Sequence, residues 1–588
     1  MNVNSCMFLL LMWTSYACAS KIHHNARVTV KNEGISRFAF ENSNNIFIKL
    51  LSASNITWVV INERLYYIDT TQDFRPKPVN VNLCRNDLTC AARVSVLTEG
   101  ANGNLLFLCG TTDEEKTMCC SLNSTFSLTN CFDFEHYKPD INEPSLLVGD
   151  MLYFTLSEKG LYRINKNKER NIWPPSTQTE QKYLKLIAGE GQHKDKMYSF
   201  FAEKHKNKED ESDQWIPRVS QNCMNDKGGP KGQLQSSWTS MIYARLECGK
   251  RDFTQLIDVA TIKTTHDTKI YALFRNYWNM SAVCVYNMTE ISTIFNSSQF
   301  NANNVPVSHR PGTCVVDSTQ LNGEVLTFMK ERPEMKQTVK PENGPLIFRH
   351  HHYSHIQVDR VQDSTVLLLS LESGGVHKVL ERPVQEPVFV IAEYLPFPHG
   401  SSIASMILHT SENLLYASSG NELIQIDLAT CGVYGNECVE CRLSRDPYCK
   451  WDGLQCTIAE KTAQDTNNCD KPPYDAPSRT ITGANVPVIS VQPSSKYFLV
   501  CPVISHHATY HWYHSGTLEE CASTDEGCIY LIESMNKTHE GSYRCEYTEN
   551  GITKTVSYYE LSMSLSNGFI PILIPHALLL LTAFHILL

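Results

Sequence analysis

From Lys21 to Thr430 the apolar residues fall into short runs, alternating or nearly continuous, broken every few positions by Gly, Asn, Asp or Ser. Runs of this length and period predict β-strands, and long amphipathic helices are hardly signalled. One unit recurs loosely: a strand, a turn, then an apolar residue followed by Tyr in the next strand. It is seen at Leu65-Tyr66, Leu152-Tyr153 after Gly149-Asp150, Leu161-Tyr162 after Gly160, Met197-Tyr198 and Leu415-Tyr416. The spacing is irregular, so the repeat is degenerate. Roughly 400 residues of short strands are too many for one sandwich, and radial repetition in a β-propeller disposes of the edge strands at that size. The expected fold class is all-β. Polar stretches at His205 to Gln214 and Glu331 to Pro345 read as exposed loops.

At Cys431 the composition changes. Six cysteines (Cys431, Cys438, Cys441, Cys449, Cys456 and Cys469) fall within 39 residues, too short a segment to bury an adequate core without cross-links. Cys438-x-x-Cys441 lacks the second pair that a zinc site needs, which favours disulfides. After a linker at Pro472 to Pro477, Cys501, Trp512 and Cys545 carry the spacing of an immunoglobulin-like sandwich. The Trp lies 11 residues after the first Cys, and Tyr543 stands two before the second, where a tyrosine corner is built. Cys521 and Cys528 read as an extra bridge. His539 departs from the pattern, since many such domains carry Asp there.

The chain ends change the picture more than the overall charge does. Met7 to Trp13 is apolar and Ala17-Cys18-Ala19 supplies small residues, so residues 1–19 read as a signal peptide without a basic start. Of 22 cysteines, Cys6 and Cys18 leave with it, and the even remainder fits full pairing in an oxidising compartment. Sequons at Asn55, Asn123, Asn279, Asn287, Asn296 and Asn536 fit a glycosylated ectodomain. From Phe569 to Leu588 no residue is charged, and small residues precede that run. No flanking Lys or Arg follows, and Pro571 and Pro575 break the run, so it reads as a GPI-attachment signal over 563–588, with Ser566 or Asn567 as attachment residue. A net charge of −10 speaks against a nucleic-acid surface.

Candidate chemistry adds little. A propeller can be a sialidase, but no S-x-D-x-G-x-x-W box or other local catalytic signature is present, and fold alone licenses no activity. His350-His351-His352 with His355 invites a metal site. Alternate side chains in a strand face opposite ways, so the triplet reads as a surface cluster. No cofactor, metal or catalytic residue is expected; a glycan-processing enzyme remains the third-ranked class.

Several blocks together resemble the semaphorins. Pro217-Arg218-Val219-Ser220-Gln221-Asn222-Cys223 followed by Asn225-Asp226-Lys227-Gly228-Gly229 is similar to the family's R-V-x-x-x-C-x-x-D-x-G-G signature. Asp195 to Glu203 (DKMYSFFAE), Ser281-Ala282-Val283-Cys284-Val285-Tyr286, Arg310-Pro311-Gly312-Thr313-Cys314 and Cys109-Gly110-Thr111 match further blocks. Ser444-Arg445-Asp446-Pro447-Tyr448-Cys449 with Trp451-Asp452 resembles the hallmark of the family's cysteine-rich PSI module. The resemblance covers essentially the whole mature chain. It implies a seven-bladed sema propeller over 21–428 with an extrusion inserted between late blades, a PSI module over 430–470, a linker over 471–486 and one immunoglobulin-like domain over 487–562. It also implies bridges Cys84–Cys90, Cys223–Cys314 and Cys248–Cys284, and in the PSI module Cys431–Cys449, Cys438–Cys469 and Cys441–Cys456. Cys109 would pair with Cys119 or Cys120, leaving the other for Cys131.

Together with the anchoring tail, this domain order resembles the GPI-anchored class of the family. That class implies a homodimeric cell-surface ligand that binds a C-type plexin, in axon guidance and outgrowth, cell migration and immune regulation. It also implies engagement of beta-one integrins through R-G-D directly after the signature cysteine. Here Met224-Asn225-Asp226 follows Cys223, so only Asp226 is retained as an integrin contact. The alternative is an integrin-directed adhesion protein without plexin signalling.

Overall fold

The computed structural model describes residues 26–459 and 488–564, apart from short gaps at 42–45, 51–55, 71–73, 85–91, 113, 115, 136, 168–170, 176–178, 207–212, 266, 332, 383–387, 399, 520 and 525–526. Two compact units result, residues 26–469 and a second that contains 470–564. The signal peptide, Asn55, Cys90, Cys469, the linker, the C-terminal tail with Ser566 and Asn567, and part of the His205 to Gln214 loop lie outside the described residues.

Among the described residues, seven antiparallel sheets follow one another from Ile46 to Asp427. Blade 1 begins at Ile46–Leu50, blade 2 at Arg93–Glu99, blade 3 at Ser145–Val148 and blade 4 at Gln181–Ala188. Blades 5, 6 and 7 begin at Gln255–Lys263, Tyr353–Val361 and Ser405–His409. Each has three or four sequential strands; in blade 3 the fourth is reduced to a bridge between Ile172 and Arg163. Blade 7 takes its outer strand, Ile35–Ala39, from the start of the chain, and Val28–Val30 adds in parallel to the outer strand of blade 6. This closes the ring without a free edge at the seam.

The apolar-Tyr pairs explain why the ring holds. Successive residues in a strand face opposite ways, and in a propeller both faces of a blade are covered by neighbours. Leu152 packs between blades 2 and 3, whereas Tyr153 packs between blades 3 and 4. Leu161 and Tyr162 divide the same way in reverse. Met197 joins the blade 3–4 cluster and Tyr198 the blade 4–5 cluster. Leu415 and Tyr416 face blades 6 and 1 respectively. A buried dipeptide without polar alternation is thus the mark of a strand between two blades, not of a helix.

The same alternation separates Cys119 from Cys120. Cys119 lies directly across from Cys109 on the face toward blade 3, and the two are bridged. Cys120 points to the face toward blade 1 and is bridged to Cys131. Cys84 and Cys438 are disulfide-bonded, and their expected partners lie outside the described residues.

The PSI segment, with bridges Cys431–Cys449 and Cys441–Cys456, packs onto blades 6 and 7. Its hallmark is a docking device. Lys378 of blade 6 is fully buried and donates to Asp446 Oδ2 and to the Leu428 carbonyl, each at 2.6 Å. Tyr434 also donates to Asp446 Oδ2, at 2.6 Å, while Tyr448 donates to Asp359 of blade 6 at 2.6 Å. Arg445 lies over the Phe389 ring, and Arg27 pairs with buried Glu440 at 2.9 Å. Buried charges persist only when paired and hydrogen-bonded, and here each one is. Burial lowers the Lys378 pKa, opposed by Asp446, and raises that of Tyr448, as does the carboxylate of Asp359.

The second unit is a two-sheet sandwich, with sheets of five and three strands. The bridge Cys501–Cys545 joins the sheets beside fully buried Trp512, whose indole donates to the Cys528 carbonyl. Cys521 is bridged to Cys528. Tyr543 donates to the His539 carbonyl at 3.1 Å, the tyrosine-corner contact. The His539 ring accepts from the Asn536 N–H and completes a capping box, which is what a His does in the place of the usual Asp.

Candidate partner-binding site

The third strand of blade 4, Asp213–Cys223, carries the signature block, and the loop after it runs to the fourth strand, Ile242–Arg245. The extrusion expected between late blades lies within blade 5 instead: between its third and fourth strands, residues 288–346 form an insert with helices Met288–Ser297 and Gly323–Lys330. The signature block and the Arg310–Cys314 block bear on how the insert meets blade 4, whereas Cys109-Gly110-Thr111 lies in blade 2 and the Ser444–Cys449 block in the PSI segment. Cys223 is bridged to Cys314. Asn225 donates to the Val315 carbonyl at 2.8 Å, and the Ser318 hydroxyl accepts from the Lys227 N–H and donates to the Gly228 carbonyl. Arg310 donates to the carbonyls of Phe295 and Ser298, where the first helix ends and its carbonyls lack helical partners. Gly312 has φ +81°, and a Cβ there would sit 2.7 Å from the Ile242 side chain, so no other residue fits. Arg218 pairs with Glu203 of the neighbouring strand at 2.6 Å and with Glu334 of the insert at 2.7 Å.

Asp226 occupies a different place from the one expected. It is 2% exposed. Oδ1 accepts from the Gly228 N–H at 2.8 Å and the Thr239 hydroxyl at 2.9 Å. Oδ2 accepts from the Thr239 N–H at 2.9 Å and the Ser240 hydroxyl at 2.7 Å. Arg163 of blade 3 donates to the carbonyls of Met224 and Asp226 and lies over the Trp238 ring, whose indole donates to the Leu161 carbonyl. A carboxylate that completes a partner's metal site must reach solvent, and this one is spent on the loop's own donors. The integrin contact assigned to Asp226 is corrected to a structural one.

The sequence reading missed Arg163, Trp238, Ser318, Glu334 and Lys378. Arg163 and Lys378 had a usable signal: a cation inside a nearly continuous apolar strand (Leu161 to Ile164, Val376 to Leu380) must have a buried partner. Of the sequons, Asn279, Asn296 and Asn536 are exposed, and Asn123 and Asn287 are half-buried. The His cluster divides: His355 is hydrogen-bonded to Ser354 and Ser370, and His351 packs edge-on against His377, which in turn bonds Tyr353. Burial lowers the pKa of His355. No helix among the described residues is long and apolar enough to cross a membrane. On the insert, Val307 and Val316 are almost fully exposed, at 99% and 91%.

Comparison with known proteins decides the family. A profile of the Sema domain matches residues 254–410, and one of the Semaphorin-3/4/7A immunoglobulin-like domain matches 483–567. Semaphorin-7A of Homo sapiens is 30% identical over 548 residues, covering 86% of this chain and 82% of that protein. The chain belongs to the semaphorin family. Semaphorin-7A of Mus musculus is 29% identical over 546 residues, with the same shares of the two chains covered. Among solved structures, Drosophila Semaphorin 2a superposes with a TM-score of 0.71 at 19% identity, over 92% of this chain and 99% of that one. A complex of Drosophila Plexin A with Semaphorin 1b gives 0.59 at 21%, over 75% and 96%. Semaphorins are signalling ligands, not enzymes.

Proposed function

We propose that this semaphorin is a cell-surface ligand that binds a C-type plexin and signals in axon guidance and outgrowth, cell migration and immune regulation. The observation that carries the reading is the insert fastened to blade 4. A rigid surface that loses little freedom on association is what a receptor-binding face requires, and Val307 and Val316 stand on it fully in water. In this reading the chain loses residues 1–19, is held to the outer leaflet by a GPI anchor at Ser566 or Asn567, and acts as a homodimer. Two receptors are then gathered at once, and a modest single-site affinity acts as a tight one.

Surface plasmon resonance of the secreted ectodomain on an immobilised C-type plexin tests this. Binding is expected, weaker when the ectodomain is held monomeric and weaker again in Val316→Lys. An absence of binding in both monomer and dimer would refute the receptor assignment, and an adhesion-only protein would attach cells while failing this assay. Release from cells by a phosphatidylinositol-specific phospholipase tests the anchor separately.

A further inference from the structure

The turn between the second and third strands of blade 5 presents two large aromatic rings to water. Tyr277 is 63% exposed and Trp278 77%, although the strands on either side are buried. The turn is held firmly. The Asn276 side chain, itself buried, accepts from the N–H of Trp278 at 3.0 Å and of Met280 at 2.9 Å. The Asn276 N–H donates to the Met280 carbonyl, and the Asn279 N–H to the Asn276 carbonyl. Asn279 stands in the left-handed region at φ +58°, which Asn tolerates better than other side chains do. It is exposed, and with Met280 and Ser281 it forms a sequon whose Ser hydroxyl accepts from the Tyr353 N–H.

We infer that Asn279 carries an N-linked sugar that folds back over Tyr277 and Trp278, so that the exposed pair is the chain's own seat for its glycan. The inference stands apart from receptor binding and rests on glycosylation of the sequon. Attachment joins the Asn279 amide nitrogen to the anomeric carbon of a polyprenyl-diphosphate-linked oligosaccharide. The bond from that carbon to the diphosphate breaks, the diphosphate leaves as the anion, and the amide gives up one proton. The first sugar, an N-acetylglucosamine, has one face lined by axial C–H groups. The face of an aromatic ring carries partial negative charge and attracts such C–H groups, and covering it removes apolar surface from water. Three consecutive residues in a turn braced by four hydrogen bonds keep the rings within reach of the sugar at little entropic cost. The consequence is that Tyr277 and Trp278 are withheld from partners, and recognition is left to other surfaces.

Hydroxyl-radical footprinting of the ectodomain secreted from animal cells, read by peptide mass spectrometry, tests this. Glycopeptide analysis is expected to find Asn279 occupied in most molecules. Oxidation of Trp278 is expected to rise several-fold in Asn279→Gln and after peptide N-glycosidase treatment of the folded protein, while exposed Trp173 keeps its rate. If Asn279→Gln is not secreted, the enzymatic comparison on the native protein still decides. Trp278→Ala is expected to make the Asn279 sugar several-fold easier to remove enzymatically. A sugar-free Asn279, or a Trp278 oxidation rate indifferent to the sugar, overturns the inference.

Discussion

Replacing Asp226 by Ala separates a structural carboxylate from a partner-binding one. Its two oxygens serve four donors, and two of these are main-chain N–H groups, of Gly228 and Thr239. An orphaned buried donor costs about 1–3 kcal/mol, while the hydroxyls of Thr239 and Ser240 can turn elsewhere, so the two N–H groups together come to about 2–6 kcal/mol. The unit concerned spans residues 26–469. At about 2.1 cal/mol/K per residue its unfolding entropy is about 0.9 kcal/mol/K, which converts the loss to a fall of about 2–6 °C in melting midpoint. Asp226→Asn keeps the shape but turns one oxygen into a donor facing donors, and a fall of similar sign is expected. Asn225→Ala, which removes one exposed contact to the Val315 carbonyl, serves as the mild control. Calorimetry of the secreted ectodomain is to be set beside plexin binding per folded molecule and integrin-dependent adhesion. If Asp226→Ala melts like the parent and loses only adhesion, the carboxylate reaches a partner after all, and the structural assignment is wrong.

Three further outcomes are expected. Lys378→Met leaves Asp446 buried without its countercharge and is expected to cost about 3–5 kcal/mol; adding Asp446→Asn should restore part of the melting midpoint, and a double variant as poor as the sum of the singles would refute the pairing. Replacing both Cys223 and Cys314 by Ser opens a closure spanning 91 residues, worth about 4–5 kcal/mol on the chain-entropy account; proteolytic nicking is expected first in the insert near Val307 and Val316. Burial pushes Tyr198 and Tyr416 up to about 12 from the ordinary value of 10. Because the folded value is the higher one, their contribution to stability is complete below pH 10 and lost as pH rises toward 12. Absorbance at 295 nm should therefore show these phenols ionising together with loss of the fold, and their titration with circular dichroism unchanged would contradict the burial.

Period and punctuation in the sequence identify the all-β class and the change of character at Cys431, because strand length and cysteine density are local properties. Pairing is not local. Cys119 and Cys120 are adjacent in the chain but belong to clusters on opposite sides of blade 2, and only the register of Cys109 against Cys119 assigns the bridges. Asp226 shows the same limit from the other side. A motif can mark a position as important without telling whether its side chain faces water or the loop's own N–H groups. The hydrogen bonds from Thr239 and Ser240, more than ten residues downstream, make the difference.

What the blocks have in common is therefore mechanical. Arg218, Cys223, Asp226 and Gly312 each end on a contact that fastens the insert or the signature loop to blade 4 or blade 3, Glu203 braces Arg218 from the neighbouring strand, and Arg310 closes the end of the insert's first helix. The large apolar residues that stand in water on the insert, Val307 and Val316, belong to none of the blocks. A surface built this way lets the tips vary while the frame stays fixed, so specificity is to be sought in the tips. Exchanging Val307 and Val316 should change partner affinity with little loss of stability, whereas changing any frame residue should lower both together.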